Sequence, residues 1–475
     1  MGNRNNFYVD IMSASPEVTG SCMYCTVRYP DSRFEHFFVD GGLFQEEDYS
    51  NLNSELLFNP KDVDFALVTH NHIDHTGRFP FLVKNGFNAK IYTSEDTQML
   101  MPIALADTFR ILNQRAKKSN TSPLYTESDV SRTIHMLSGY PYGETFRATE
   151  NIRVTLFKNG HLIGASIILV QIDYYGYDSI NLLFLGDYNN KNIFFDVPSL
   201  PEWVLRLPLT IVCESTYGDM DTSEIHEVFE DNIRVFFTKY SNGTVVLPVF
   251  SLGRSQEILK KLKVMQESSI ISKEVPIYLD GKLTLQYTNL FLSHQLKSIE
   301  DDKNTFIPEN IHFVSKDFRP YLWDDDNCKI IVSSSGMGSY GPAQTYIQQY
   351  LRRENALIHF TGYAAEGTIA RQLYDAAEDS MVEFGGLTIL KKARIKFTNE
   401  FSAHAKANEL ISFLKEPTNI NLVLVTHGQT EVKKTFSKRV LLEVNPKDVG
   451  ILSREYFFRM GSERLLKTLP THFVM

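Results

Sequence analysis

Three imidazoles and a carboxylate crowd into His70-Asn71-His72-Ile73-Asp74-His75, directly after the apolar run Phe65-Ala66-Leu67-Val68. That run is too short for a helix and reads as a buried strand, so the cluster leaves a strand end. In an extended chain His70 and His72 project the same way, with Asp74 following them. The next residues, Thr76-Gly77-Arg78-Phe79-Pro80 into Phe81-Leu82-Val83, read as a turn feeding a helix. Neutral imidazole suits zinc, and an interleaved carboxylate can serve a second ion close by. The plain alternative is a solvated turn rich in histidine. Four ligand-type side chains within six residues at a strand end argue instead for a metal site.

The same grammar recurs along the chain. Short apolar strands alternate with helical stretches, the pattern of an α/β chain. Asp40 ends the strand from Phe37, His161 follows Phe157-Lys158-Asn159-Gly160, Asp187 follows Leu182 to Gly186, and His427 ends Asn421 to Thr426. In layered α/β folds, sites form where strands stop and loops converge, so these residues point to one shared site. Ser94-Glu95-Asp96 is expected to cap a long helix running towards Lys118. At 475 residues the chain exceeds what one core usually serves, which predicts at least two domains. A net charge of -9 argues against a protein that coats nucleic acid through bulk charge, while leaving room for a local basic groove. Four cysteines are no disulfide framework. Cys22 and Cys25, a lone C-x-x-C, read as small apolar residues near a strand. With no apolar leader at the N-terminus and no run of membrane-spanning length, the expectation is a cytoplasmic protein with no membrane association.

Taken together, Asp40, the His70-x-His72-x-Asp74-His75 cluster, His161 and Asp187 resemble the metallo-β-lactamase signature. That resemblance implies one zinc on His70, His72 and His161, and a second on Asp74 and His75, with Asp187 bridging. Asp40 would orient the ligands without touching the ions. Further on, Cys213-Glu214-Ser215-Thr216-Tyr217-Gly218-Asp219, Phe401-Ser402-Ala403-His404 and Val425-Thr426-His427-Gly428 resemble the three motifs of the β-CASP family, the nucleic-acid-cutting branch of the fold. Val249-Phe250-Ser251-Leu252-Gly253-Arg254-Ser255-Gln256-Glu257 and Gly362-Tyr363-Ala364-Ala365-Glu366-Gly367-Thr368 match it as well. Family members acting on RNA carry a histidine in the third motif, so His427, counted as a ligand of the second metal, favours RNA.

The resemblance implies an αββα sandwich with an α/β β-CASP domain inserted into it. The expected division is residues 1–207 and 386–475 for the sandwich and 208–385 for the insert. The implied activity is zinc-dependent hydrolysis of RNA phosphodiester bonds by a hydroxide activated between two metals, with manganese as the alternative ion. Single-stranded RNA is the expected partner, and a homodimer is compatible. The chain lacks room for the extra C-terminal domain of typical ribonuclease J, which tilts the expectation towards endonuclease. Candidate catalytic residues are Asp40, Asp74, Glu214 and His404. His404 is the proton donor to the departing oxygen, and Glu214 holds it in its charged form. Arg254 is a candidate phosphate clamp, and the loop Ser334-Ser335-Gly336 could present backbone amides to a phosphate. The basic runs Lys391-Lys392-Ala393-Arg394 and Lys433-Lys434 read by default as solvated faces. Rival readings are a DNA-directed nuclease, a small-molecule metallohydrolase and a non-catalytic scaffold. The insert and His404 speak against the second, and the intact ligand set against the third.

Overall fold

The computed structural model describes residues 6–222, 228–299, 306–362 and 364–470. The chain divides into two compact units, residues 1–222 with 403–475, and residues 223–402.

In the first unit, two sheets stack face to face. The larger has eight strands in the spatial order Leu465–Pro470, Tyr456–Met460, Tyr8–Ser13, Met23–Arg28, Phe34–Val39, Phe65–Leu67, Lys90–Ser94 and Leu137–Tyr140. The other has seven: Asp448–Ile451, Ile420–Val425, Leu209–Cys213, Ile180–Phe184, Ser166–Ile172, Ile152–Lys158 and Thr145–Arg147. Alternate residues of each strand face inward, and Ile11, Val27, Phe37 and Leu67 meet Val154, Val170, Leu182 and Phe184 in one buried cluster. The outer faces are also apolar and carry helices. Ala66, Val68 and Phe38 pack under the helices Phe79–Lys84 and Glu95–Lys118. Ile211, Val423 and Leu183 pack under Ala407–Leu414 and Thr430–Glu443. The layers are therefore αββα. The long helix starts where its residues require, with the Ser94 hydroxyl accepting from the Thr97 N–H and two acids in the first turn.

The second unit is built on six strands, in the order Ile311–Phe313, Ile277–Asp280, Lys329–Ser333, Thr244–Pro248, Ala356–Phe360 and Arg394–Phe397. Every pairing within this six-stranded sheet is parallel, and a separate antiparallel pair, Met381–Phe384 with Leu387–Leu390, belongs to the same unit. Parallel strands need crossovers and burial on both faces, which is why they read as unbroken runs such as Thr-Val-Val-Leu and Lys-Ile-Ile-Val.

The boundaries differ from those expected at 208 and 386. Leu209–Cys213 pairs with Ile180–Phe184 and Ile420–Val425 inside the first unit. Arg394–Phe397 pairs with Ala356–Phe360 inside the second. The reason is that strand pairing, which composition does not reveal, decides membership. Two of the basic residues also have structural posts: Lys391 and Lys433 are buried, their ammonium groups donating to the carbonyls of Ala376 and Pro16. No helix among the described residues is long and apolar enough to cross a membrane.

Candidate metal centre

Seven candidate ligands of the sequence converge within the first unit. His70 follows the strand Phe65–Leu67, His161 follows Ile152–Lys158, Asp187 follows Ile180–Phe184, and His427 follows Ile420–Val425. Between His70 and His75 the backbone does not stay extended as expected. His72 is the N-cap of a short helix, Ile73–Thr76, so Asp74 and His75 turn away from His72 rather than continuing its alternation. One six-residue stretch thereby feeds two neighbouring clusters.

The first cluster is His70, His72, His161 and Asp187, and the second is Asp74, His75, Asp187 and His427. In the first, His161 Nε2 lies 3.0 Å from His72 Nδ1 and 3.7 Å from Asp187 Oδ2, which is 3.5 Å from His70 Nε2. In the second, His75 Nε2, His427 Nε2 and Asp187 Oδ1 are mutually 3.3 Å apart. Asp74 Oδ2 stands 3.6 Å from His427 Nε2 and 3.8 Å from His75 Nε2. A tetrahedron with zinc–ligand bonds near 2.0–2.1 Å has donor–donor edges of about 3.3 Å, so both sets have the spacing of a four-coordinate site. His70 Nε2 and Asp187 Oδ1 are also buried without a hydrogen-bond partner, which native structures rarely tolerate. The donors fit a pair of divalent ions, with Asp187 common to both.

The outward nitrogens explain why the inward ones are available. His75 Nδ1–H donates to Asp40 Oδ2 at 2.8 Å, and His161 Nδ1–H to the Ala403 carbonyl at 2.8 Å. The Thr69 hydroxyl donates to Asp40 and faces His70 Nδ1 at 3.0 Å. Each contact sets a tautomer and a ring plane. Asp40 is fully buried and adopts a left-handed φ of 64°, a conformation an aspartate tolerates better than most residues. Burial and the neighbouring His75 hold His70 well below the ordinary histidine range; burial and His404 do the same for His161. Both are thus in the neutral form that binds metal. Burial opposes the charge on His75 too, but Asp187 and Asp40 outweigh it and raise its pKa well above the usual value.

His404 stands at the edge of the centre, its Nε2 3.9 Å from Asp187 Oδ2. Its Nδ1 sits 3.0 Å from both oxygens of Glu214. Glu214 is buried and immobilised, accepting from the Tyr188 N–H at 2.6 Å and the Thr216 N–H at 3.2 Å. Burial disfavours a charged imidazole at 404, yet Glu214 and Asp187 outweigh it and hold the pKa up at about 9.

Gly42 shows how closely the loops are pressed together. A Cβ there would lie 1.5 Å from the Asp74 carbonyl oxygen. That carbonyl is itself held by the Ser21 N–H at 2.8 Å. Gly42→Ala is therefore expected to push the Asp74 helix away and destabilise the fold by roughly 1–3 kcal/mol. Thermal denaturation checks this, and an unchanged melting temperature would show that the loop yields freely.

Three family models match the chain. The metallo-beta-lactamase superfamily covers residues 35–157, the Beta-Casp domain 255–373, and the Zn-dependent metallo-hydrolase RNA specificity domain 388–449. The chain carries a metallo-beta-lactamase domain, a Beta-Casp domain and an RNA specificity domain. Similar proteins include transcription termination factor FttA of Methanocaldococcus jannaschii, 29% identical over 464 residues that cover 92% of this chain and 70% of the relative. An RNase J-like protein of the same organism is 29% identical over 389 residues, covering 80% of this chain and 85% of that one. A ribonuclease of Thermus thermophilus is 27% identical over 444 residues, covering 90% and 95%.

The other sequence candidates of this Beta-Casp protein lie in its second unit. Thr244–Pro248 and Lys329–Ser333 are adjacent parallel strands, so Arg254 and the loop 334–336 emerge at one sheet edge. Gly336 lies close under the Phe250 ring, which a Cβ would approach to 2.9 Å and have to displace. Arg254 has several partners within the unit. Its side chain is 9% exposed, donates to the Thr361 carbonyl at 2.9 Å, lies 3.3 Å from Glu257 and covers the Phe401 ring. These contacts make it a brace within the unit. The Ser334 and Ser335 amides likewise turn to the carbonyls of Asp280 and Tyr340, at 3.3 and 3.4 Å. Tyr363, part of a matched stretch, lies outside the described residues. In the first unit, sequence reasoning missed Thr69 and Asn159. The Asn159 side chain accepts from the His161 N–H at 3.0 Å and donates to the Asp187 carbonyl at 2.7 Å, tying two ligand loops together. A buried Asn beside a strand-end histidine is a signal that could have drawn attention to it.

Proposed function

We propose that this protein is a zinc-dependent ribonuclease that hydrolyses phosphodiester bonds of single-stranded RNA, endonucleolytically, in the cytoplasm. The observation that carries this reading is the pair of four-donor clusters sharing Asp187, with a carboxylate-held imidazole beside them. Such ions, when bound, supply the positive charge and the acidified water that attack on a phosphodiester needs. The chain's residues supply the rest. His70, His72 and His161 would hold one ion with Asp187, and Asp74, His75 and His427 would hold the other with it. Asp40 fixes His75 directly and His70 through Thr69. His404, kept protonated near neutrality by Glu214, stands ready to give its proton to the departing oxygen. Zinc is the ion of choice because imidazole-rich sets at this spacing suit it, with manganese as the alternative. The RNA specificity model over 388–449, and the ribonuclease and RNase J-like names of the relatives, support RNA over DNA. Free, buried Cys22, Cys25 and Cys213 suit a reducing compartment.

Zinc-loaded protein incubated with end-labelled RNA and a DNA oligonucleotide of matched sequence is expected to cut the RNA internally and spare the DNA. Mapped product ends separate internal cuts from trimming. Equal or preferential cleavage of DNA would transfer the assignment to a DNA nuclease, and stepwise shortening from one end would replace the endonuclease mode. No cleavage of either strand, with both ions bound, would point to a non-nucleolytic member of the fold.

A further inference from the structure

His427 adopts a left-handed φ of 49°, a conformation that is unfavourable for a residue with a side chain and persists where its surroundings enforce it. The enforcement comes from the neighbouring strand end. Leu209–Cys213 and Ile420–Val425 run parallel with Cys213 opposite Val425, so Glu214-Ser215-Thr216 continues alongside Thr426-His427-Gly428. The Ser215 N–H donates to the His427 carbonyl at 3.0 Å, and the Ser215 hydroxyl to the Thr426 carbonyl at 2.9 Å. Gly428 is pressed onto the same serine, since a Cβ there would approach Ser215 Oγ to 2.4 Å. From the other side, the Gly428 N–H donates to the Glu17 carbonyl at 3.2 Å.

With the backbone held, the side-chain torsions still set where the ring points, and Thr216 restrains them. Thr216 Oγ1 lies 3.1 Å from His427 Nδ1, while Nε2 at the other end of the ring faces His75 and Asp187, each at 3.3 Å. We infer that Thr216 is the positioning residue that makes His427 a metal donor: its hydroxyl oxygen accepts a hydrogen bond from Nδ1–H and leaves the Nε2 lone pair aimed into the second cluster. The assignment rests on the metal reading above. It also gives the stretch Glu214-Ser215-Thr216 a double task. Glu214 aligns His404, Ser215 and Thr216 align His427, and the Thr216 N–H on Glu214 at 3.2 Å links the two. One turn would then hold both the proton donor and a ligand of the second ion in register.

The test compares wild type, Thr216→Val, which is isosteric but lacks the hydroxyl, and Thr216→Ser, which keeps it. Calorimetric titration of metal-free full-length protein with zinc is expected to show two sites in the wild type. In Thr216→Val the affinity of one site should fall about 10–100-fold while the other is unchanged, with recovery in Thr216→Ser. Nitrogen-15 imidazole spectra of the metal-free protein, taken at a pH high enough for His427 to be neutral, should show it protonated at Nδ1 in wild type and Thr216→Ser, and a mixture of tautomers in Thr216→Val. Wild-type affinity at both sites in the valine variant would overturn the role of Thr216. So would a His427 tautomer indifferent to the substitution. If wild type takes up one ion or none, the functional reading fails instead, and the tautomer measurement still decides the role of Thr216. Should the valine variant not fold, absence of the Nδ1-protonated form in wild type and Thr216→Ser would overturn the proposal on its own.

Discussion

Asp187→Asn is expected to yield a folded protein that retains fewer than two zinc ions and cleaves RNA roughly 10³-fold more slowly or worse, equivalent to about 4 kcal/mol of lost stabilisation. The size of the effect follows from how many groups share this one carboxylate. It stands 3.3 Å from His75 and His427, 3.5 Å from His70, 3.7 Å from His161 and 3.9 Å from His404. Burial alone would favour its neutral form, but His427, His75, His404 and His70 outweigh that and hold its carboxyl well below the usual carboxylate range. An amide has the same shape and lacks the charge. It also turns one end into a donor, which would engage the imidazole lone pairs that should face the ion. Elemental analysis after zinc loading and dialysis measures the first effect, and labelled-RNA cleavage the second. Near-ultraviolet circular dichroism confirms that the variant is folded. Retention of two ions with activity within tenfold of wild type would remove Asp187 from the bridging position.

The second large effect separates acid catalysis from metal binding. His404→Ala is expected to keep both ions and its affinity for RNA, yet to slow cleavage by about 10²–10⁴-fold, the scale of a positioned general acid. The geometry supports the separation, because His404 contacts Glu214 through Nδ1 and reaches only the margin of the metal clusters with Nε2. On an activated aryl phosphodiester, whose leaving group needs no proton, the deficit should shrink. Glu214→Gln should show a milder form of the same defect, since an amide can still accept from Nδ1 but no longer favours the charged imidazole. An equal loss on natural and activated substrates, or loss of metal from the alanine variant, would withdraw the proton-donor role.

His70, His72, Asp74 and His75 were legible because a metal site demands particular donor chemistry, and a strand end crowded with it has few other uses. The alternation that makes a strand visible also exposed Asp40, His161, Asp187 and His427 as polar stops on apolar runs. What chain order conceals is which strands become neighbours. Leu209–Cys213 and Ile420–Val425 are separated by the whole second unit and pair directly, an arrangement that local pattern cannot disclose. The domain limits moved for that reason.

Arg254 also shows what local pattern conceals. As a sequence element, an arginine at a helix start suits a phosphate; the fold adds a bond from its Nη1 to the Thr361 carbonyl and an ion pair with Glu257. Charge and residue type travel with the chain and can be read from it, so donor identity and strand character were determined by sequence alone, and the αββα layering was legible through the family resemblance. Tautomer, ring plane and pKa depend on what stands within about 4 Å, since both hydrogen bonding and short-range Coulomb interactions act at that distance. Those neighbours come from remote segments: Asp40 for His75, Ala403 for His161, Thr216 for His427 and Glu214 for His404. Only the tertiary structure brings them there, and with them the difference between a set of histidines and a metal centre.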